Sequence, residues 1–244
     1  MRRTKAEAEQ TREAVIGAAV AVFLERGVAR ATFDEIARAA GVTRGAVYWH
    51  FQNKLEIFLT LERRANLRNE EFGALLKARL AADPGLDPLD ELAGAIREGL
   101  HAFEANPERC RILTVLWQRC EYVGEMLPAL ERQQRADAAL RALFEAVIGL
   151  AATRGRVAPG WPSALAARAL LLLINGSVAD WLREPGEAQL VTTTMPLITA
   201  FLKAISLPEG AAASESGILS RFAPESRPHL GQPQQTGAIR PERQ

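Results

Sequence analysis

Cysteine is scarce: the 244-residue chain has two, Cys110 and Cys120. Read onto one helix, they lie about 15 Å apart along its axis, whereas an intrachain disulfide needs Cα atoms within roughly 7 Å. A disulfide-stapled scaffold is excluded, and two unpaired thiols fit a reducing cytosol. Histidine is nearly as rare. His50, His101 and His229 are isolated in the sequence, so no metal-ligand spacing arises and no metal or cofactor is expected. There is no Gly-rich phosphate loop and no nucleophile elbow. No catalytic residue can be nominated, and an enzyme is not expected. Charge of one sign is missing too: the formal net charge is +1, which excludes a bulk polyanion binder. No apolar run approaches the ~18 residues that would suggest a membrane span, and no N-terminal apolar leader core is present. The chain reads as a cytoplasmic protein with no membrane role. An alternating β pattern and internal repeats are likewise absent.

What is present is helical. Hydrophobic residues make up 48% of the chain, enough for a substantial core. Ile16, Ala19, Val20 and Phe23 follow the i, i+3, i+4, i+7 pattern, and Phe33, Ile36, Ala37 and Ala40 repeat it. Gly27 and Gly41 end these helices, and Thr32 with Glu35 forms a capping box at the start of the second. Thr43 caps a third helix that runs to about Phe51, and Asn53 caps a long one from Lys54 to about Ala82. Proline-marked breaks place further helices at about 88–104, 107–124, 128–154, 162–184 and 187–206. The expected fold is all-α with about nine helices. Residues 1–54 form a helix-turn-helix domain, and 55–206 a helical ligand-binding and dimerisation domain. The Pro-, Gly-, Ser- and Gln-rich segment 207–244 reads as a disordered tail.

Residues 41–54 carry the sharpest signal: Gly-Val-Thr-Arg-Gly-Ala-Val-Tyr-Trp-His-Phe-Gln-Asn-Lys. At about 100° per residue, Val47 and Phe51 cluster within about 40° of each other and anchor the short helix, with help from Val42. Gly45 and Trp49 lie opposite. Burial therefore does not account for Trp49 or His50, and an exposed pair of this kind marks a contact surface. The first 54 residues also hold nine Lys or Arg against six Asp or Glu, a mild basic bias that suits DNA.

Thr32 through Lys54 resembles the signature of the TetR family of transcriptional regulators, in which a Tyr-aromatic-His-Phe block precedes Asn-Lys. The resemblance implies that Thr32, Thr43, Tyr48, Trp49, His50 and Lys54 contact phosphates, while Arg44, Gly45 and Ala46 face base edges in the major groove. Hydroxyls, an indole N–H and a helix N-terminus all donate to phosphate oxygens. Arg44 is the one long donor near the start of the helix, suited to bidentate guanine readout. A packed structural role for His50 stays open at this point. For Lys54, a cation is out of place at a helix N-terminus unless an anion compensates it.

One helix-turn-helix contacts one half-site, and two copies about 34 Å apart are the usual solution, so a homodimer on a double-stranded DNA operator is expected. Leu165–Ile174 with Gly176, Val178 and Trp181 is the candidate interface helix, partnered by 187–206. Packing within the monomer is the competing reading. Arg119-Cys120-Glu121-Tyr122-Val123-Gly124-Glu125-Met126 and the later Ala-Asp-Trp-Leu-Arg-Glu-Pro at 179–185 resemble the AcrR-like branch, repressors of multidrug efflux pumps. That resemblance implies a drug cavity with Asn66, Trp117, Gln118 and Gln133 at or near its wall, and a small-molecule inducer. Some relatives carry a buried acid where Asn66 stands, which removes the obvious ground for cationic ligands. A regulator sensing a metabolite or fatty acid is the alternative; an all-α enzyme is a remote one.

Overall fold

Side-chain caps set where the first four helices begin. The first, α1 (Lys5–Arg26), starts behind Thr4, whose hydroxyl and the Glu7 carboxylate form a reciprocal capping box. Thr32 and Glu35 do the same for α2 (Phe33–Ala40). Thr43 accepts from the Ala46 N–H to open α3 (Arg44–His50), and Asn53 accepts from Glu56 to open α4 (Lys54–Ala82). Such caps satisfy N–H groups that have no partner inside the helix. Gly27 and Gly41, at φ of 78° and 66°, stop α1 and α2 with backbone angles that other residues rarely adopt.

The computed structural model describes residues 4–184 and 189–207. After α4 come α5 (Pro88–Glu104), α6 (Pro107–Gln118), a 3₁₀ turn (Gly124–Met126), α7 (Leu127–Thr153), α8 (Ser163–Trp181) and α9 (Leu190–Ile205), nine α-helices among the described residues. The all-α expectation is met; among the described residues, extended structure amounts to one isolated bridge, Val157 to Ser206. Arg2, Arg3, His229, the Pro185-Gly186 break and the tail from 208 onward lie outside the described residues.

One boundary moves. The sixth helix stops at Gln118, not near residue 124. Its last carbonyls find partners from elsewhere: the Tyr122 hydroxyl donates to the Leu116 carbonyl at 2.8 Å, and the Val28 N–H donates to that of Arg119 at 2.9 Å. With those acceptors satisfied, nothing requires another helical turn. Cys120 consequently sits beyond the helix that holds Cys110. Both thiols are free and half-buried, and burial pushes each above its ordinary pKa, Cys120 to about 11. They have the character of packing groups, not nucleophiles.

Two hydrophobic clusters organise the helices. The first joins α1, α2 and α3 to Ile57, Phe58, Leu61 and Ala65 on α4, and to Ile112, Val115 and Leu116 on α6. It runs past residue 54, because α1 and the two short helices after it close their core only with the first turns of α4. The second cluster is built from the rest of α4 with α5, α7, α8 and α9. The fourth helix belongs to both. Among the described residues, α8 alone has the length and composition of a membrane span. Ala166, Ala167, Leu170, Leu171 and Val178 on it are buried in the second cluster, while Arg168 and Asp180 are exposed on its other face.

Candidate nucleic-acid interface and ligand cavity

The recognition segment is held from below and bare above. Val47 and Phe51 are 0% and 1% exposed, whereas Trp49 is 72% exposed and Tyr48 47%. The Tyr48 ring leans on Phe33 at 4.9 Å, and Trp49 meets His50 edge-on at 4.5 Å. Thr43 Oγ1 accepts from Ala46, leaving its own proton without an acceptor among the described residues. Gly45 is exposed, and a Cβ there would meet nothing closer than 3.9 Å, so the helix surface between Arg44 and Ala46 is open to close approach. Arg44 lies over the Tyr48 ring at 5.4 Å and donates to the Tyr48 hydroxyl at 3.3 Å and to Asp34 Oδ2 at 3.0 Å. Asp34, on α2, thus fixes the arginine at the start of α3. Five guanidinium N–H groups leave donors to spare.

Two of the expected phosphate donors are spent inside the fold. The Lys54 ammonium donates to the carbonyls of Val28 and Ala29 at 3.0 and 2.9 Å and pairs with Glu125 at 4.0 Å. Two carbonyls of the α1–α2 turn and the Glu125 carboxylate thus compensate this lysine within the fold, and its side chain is a clamp. The Thr32 hydroxyl accepts from the Glu35 N–H and donates its one proton to the Glu35 carboxylate at 2.9 Å. That proton reaches a phosphate only by leaving the Glu35 carboxylate.

A cavity of about 160 Å³ lies between α4, α5, α6, α7 and α8. Phe58, Phe72, Phe103, Trp117, Tyr122 and Phe144 give it aromatic walls, and Asn66, Gln133, Glu62, Asp137 and Arg109 supply polar groups. A mostly apolar hollow with a few convergent polar groups is the usual form of a small-molecule site. A second hollow of about 640 Å³ opens between α4 and α7. Glu62, Asn66, Asn69, Ala136 and Leu140 line both.

Residues 15–61 match the family described as bacterial regulatory proteins, tetR family, and residues 87–207 match the C-terminal region of MAATS-type transcriptional repressors. The HTH-type transcriptional repressor BepR of Brucella suis biovar 1 is 39% identical over 208 residues, covering 85% of this chain and 98% of the relative. The chain belongs to the TetR family. Among solved structures of this family, native NalD, the secondary repressor of the MexAB-OprM multidrug efflux pump in Pseudomonas aeruginosa, is 36% identical. It covers 82% of this chain and 98% of its own, with a TM-score of 0.70. The complex of SmeT with triclosan is 27% identical, covers 85% and 96%, and has a TM-score of 0.67; SmeT represses the SmeDEF multidrug efflux pump of Stenotrophomonas maltophilia.

In this TetR-family chain, three of the four expected pocket residues, Asn66, Trp117 and Gln133, line the cavity. Gln118 does not. One step round α6 from Trp117, its side chain is exposed and donates to the Ala179 carbonyl at 3.4 Å. The acids were missed by sequence reasoning. Glu62 lies one turn before Asn66 on the same face of α4, between Phe58 and Ala65. A charged residue on that apolar stripe was the available signal.

Glu62 is 4% exposed. Burial pushes its carboxyl above the ordinary value, and Arg132 and then Arg135 pull it back only in part. A carboxyl raised on folding binds protons more tightly in the native state. Its contribution to stability is therefore present below the unfolded value and lost as pH rises through the folded one. Glu62→Gln is expected to be more stable than the parent at neutral pH. The difference should shrink on acidification towards 4.5, the carboxyl's ordinary value. Urea unfolding at both ends of that range measures it, and a pH-independent difference contradicts the assignment.

Proposed function

We propose that the protein is a ligand-responsive transcriptional repressor that binds a palindromic operator as a homodimer and controls a multidrug efflux pump. One observation carries this reading: the same long helix, α4, anchors the bare recognition helix at one end and walls an aromatic cavity at the other. The efflux repressors to which the chain is similar support the choice of target. Thr43, Tyr48, Trp49 and His50 serve the phosphates, and Arg44, Gly45 and Ala46 the base edges. Leu165 and Leu172 on α8 and Leu197 on α9 remain 44%, 64% and 53% exposed. This apolar stripe, with Gly176 open beside it, is the surface for the second copy. Leu170, Leu171 and Val178, by contrast, are core residues. A cytoplasmic location follows from the function.

The switch is a population shift. A ligand that prefers the conformation with misfitted half-sites moves the equilibrium off DNA, and one with equal affinity for both states moves nothing. Fluorescence anisotropy tests the proposal with the palindrome found in the DNA flanking the coding region. Palindrome-selective binding that falls steeply with salt, and that amphipathic drugs reverse, is expected. Salt-insensitive or unselective binding sinks the DNA reading; selective binding that no drug weakens sinks the sensor reading.

A further inference from the structure

The polar groups of the cavity are unevenly matched. Both carboxylate oxygens of Glu62 are buried without a hydrogen bond, and so is Oε1 of Gln133 on the facing helix. Arg132 Nε comes within 3.3 Å of Glu62 Oε2 as an ion pair, yet does not align to donate to it. Asp137, one turn beyond Gln133 on α7, adds a second carboxyl to the same wall, also raised by burial. These are acceptors waiting for a donor or a positive charge. Arg109, the one cation in the wall among the described residues, is committed: it donates to Asn69 at 3.2 Å and lies over the Phe103 ring at 5.4 Å.

Glu62 also faces the hollow between α4 and α7, where Arg132, Arg135 and Lys77 stand at the rim. Arg132 is 39% exposed at its side chain and Glu62 5%. The arginine is therefore the partner that can leave for solvent, while the carboxylate cannot. A buried carboxylate deprived of a well-aligned partner gains most from a cation that reaches it from inside a low-dielectric cavity. Aromatic faces around the same space add cation–π attraction.

We infer that Glu62 is the counter-ion for an organic cation, which enters between α4 and α7, seats its aromatic body in the cavity and takes the place of Arg132. The inference rests on the cavity being the ligand site, as proposed above. Exchange of Arg132 for the ligand removes an α4–α7 tie at the step where the ligand arrives. The binding event and the loosening of α4 are then the same event.

Tetraphenylphosphonium and tetraphenylborate share a shape and differ in the sign of charge. Titrated into the full chain and followed by tryptophan fluorescence at pH 8, the phosphonium should bind at least tenfold more weakly to Glu62→Gln than to the parent, with the borate unchanged or tighter. Circular dichroism checks that the variant folds. Arg132→Gln provides an independent arm: removing the competing cation should tighten the phosphonium several-fold. A Glu62→Gln affinity within twofold of the parent, with both ions bound, overturns the counter-ion role and leaves the cavity standing. A loss seen in Asp137→Asn but not in Glu62→Gln also overturns it. Failure of both ions to bind the parent overturns the cavity reading and this inference together.

Discussion

Phe51→Ala is expected to cost about 3–5 kcal/mol of folding stability, the range for emptying a buried aromatic site, and to abolish operator binding. Phe51 is the C-cap of α3, with its N–H donating to the Val47 carbonyl at 2.9 Å. It is 1% exposed, and the Arg12 guanidinium on α1 covers its ring at 5.1 Å. The side chain therefore fills the space where α1, α3 and the start of α4 converge. A helix of seven residues is far too short to persist by its own propensity, so it holds its shape only through this anchor. Set against a total of about 5–15 kcal/mol for a typical domain, the loss is large enough to melt the recognition module at working temperature. Urea unfolding followed by circular dichroism measures the first effect and anisotropy the second. A loss below about 1 kcal/mol would show that the site collapses around the vacancy and that Phe51 is not the anchor.

Arg44→Ala should cost about 1–3 kcal/mol on the preferred operator and much less on sequences altered at the contacted base, so that specificity relaxes. Its partners in the free protein do not change this sign. The Arg44–Asp34 pair is exposed, with side chains at 58% and 56%, and pairs of that kind contribute about 0–1 kcal/mol. Giving it up for a bidentate guanine contact is favourable. Lys54→Ala makes the necessary contrast. Its ammonium clamps the α1–α2 turn, and hydrogen bonds to charged groups are worth about 1.5–3 kcal/mol. It should lower the unfolding midpoint and weaken all duplexes alike. Measuring both variants on matched and mismatched operators separates the roles; equal, sequence-independent losses from both would refute base readout by Arg44.

The helix starts were legible because their causes are local. Thr32, Thr43 and Asn53 are capping residues within three positions of the groups they satisfy, and Pro88 and Pro107 mark their own helices. The end of α6 was not legible, since Tyr122 and Val28 reach its carbonyls from outside the helix. The site divides along the same line. Which side of α3 faces out follows from its own periodicity, and Trp49 stands where the wheel puts it. Whether Lys54 and Thr32 retain free donors depends on what the folded chain brings to them, and it brings carbonyls and a carboxylate. Gln118 lies one step round α6 from Trp117, about 100° away, and so stands beside the cavity wall without lining it. Glu62 was overlooked because a glutamate on an amphipathic helix is ordinarily solvated, and only the facing helix makes it an enclosed one.

Val28 is bound on both sides of one residue: its N–H goes to Arg119 at the end of α6, and its carbonyl to Lys54 at the start of α4. The first is a backbone bond with almost no slack, and the second runs through the Lys54 side chain. The α1–α2 turn is thereby tied to α4 and α6, two of the helices that wall the cavity. A displacement at the end of α6 should therefore move the α1–α2 turn through the Val28–Arg119 bond, without first passing through a layer of repacking side chains.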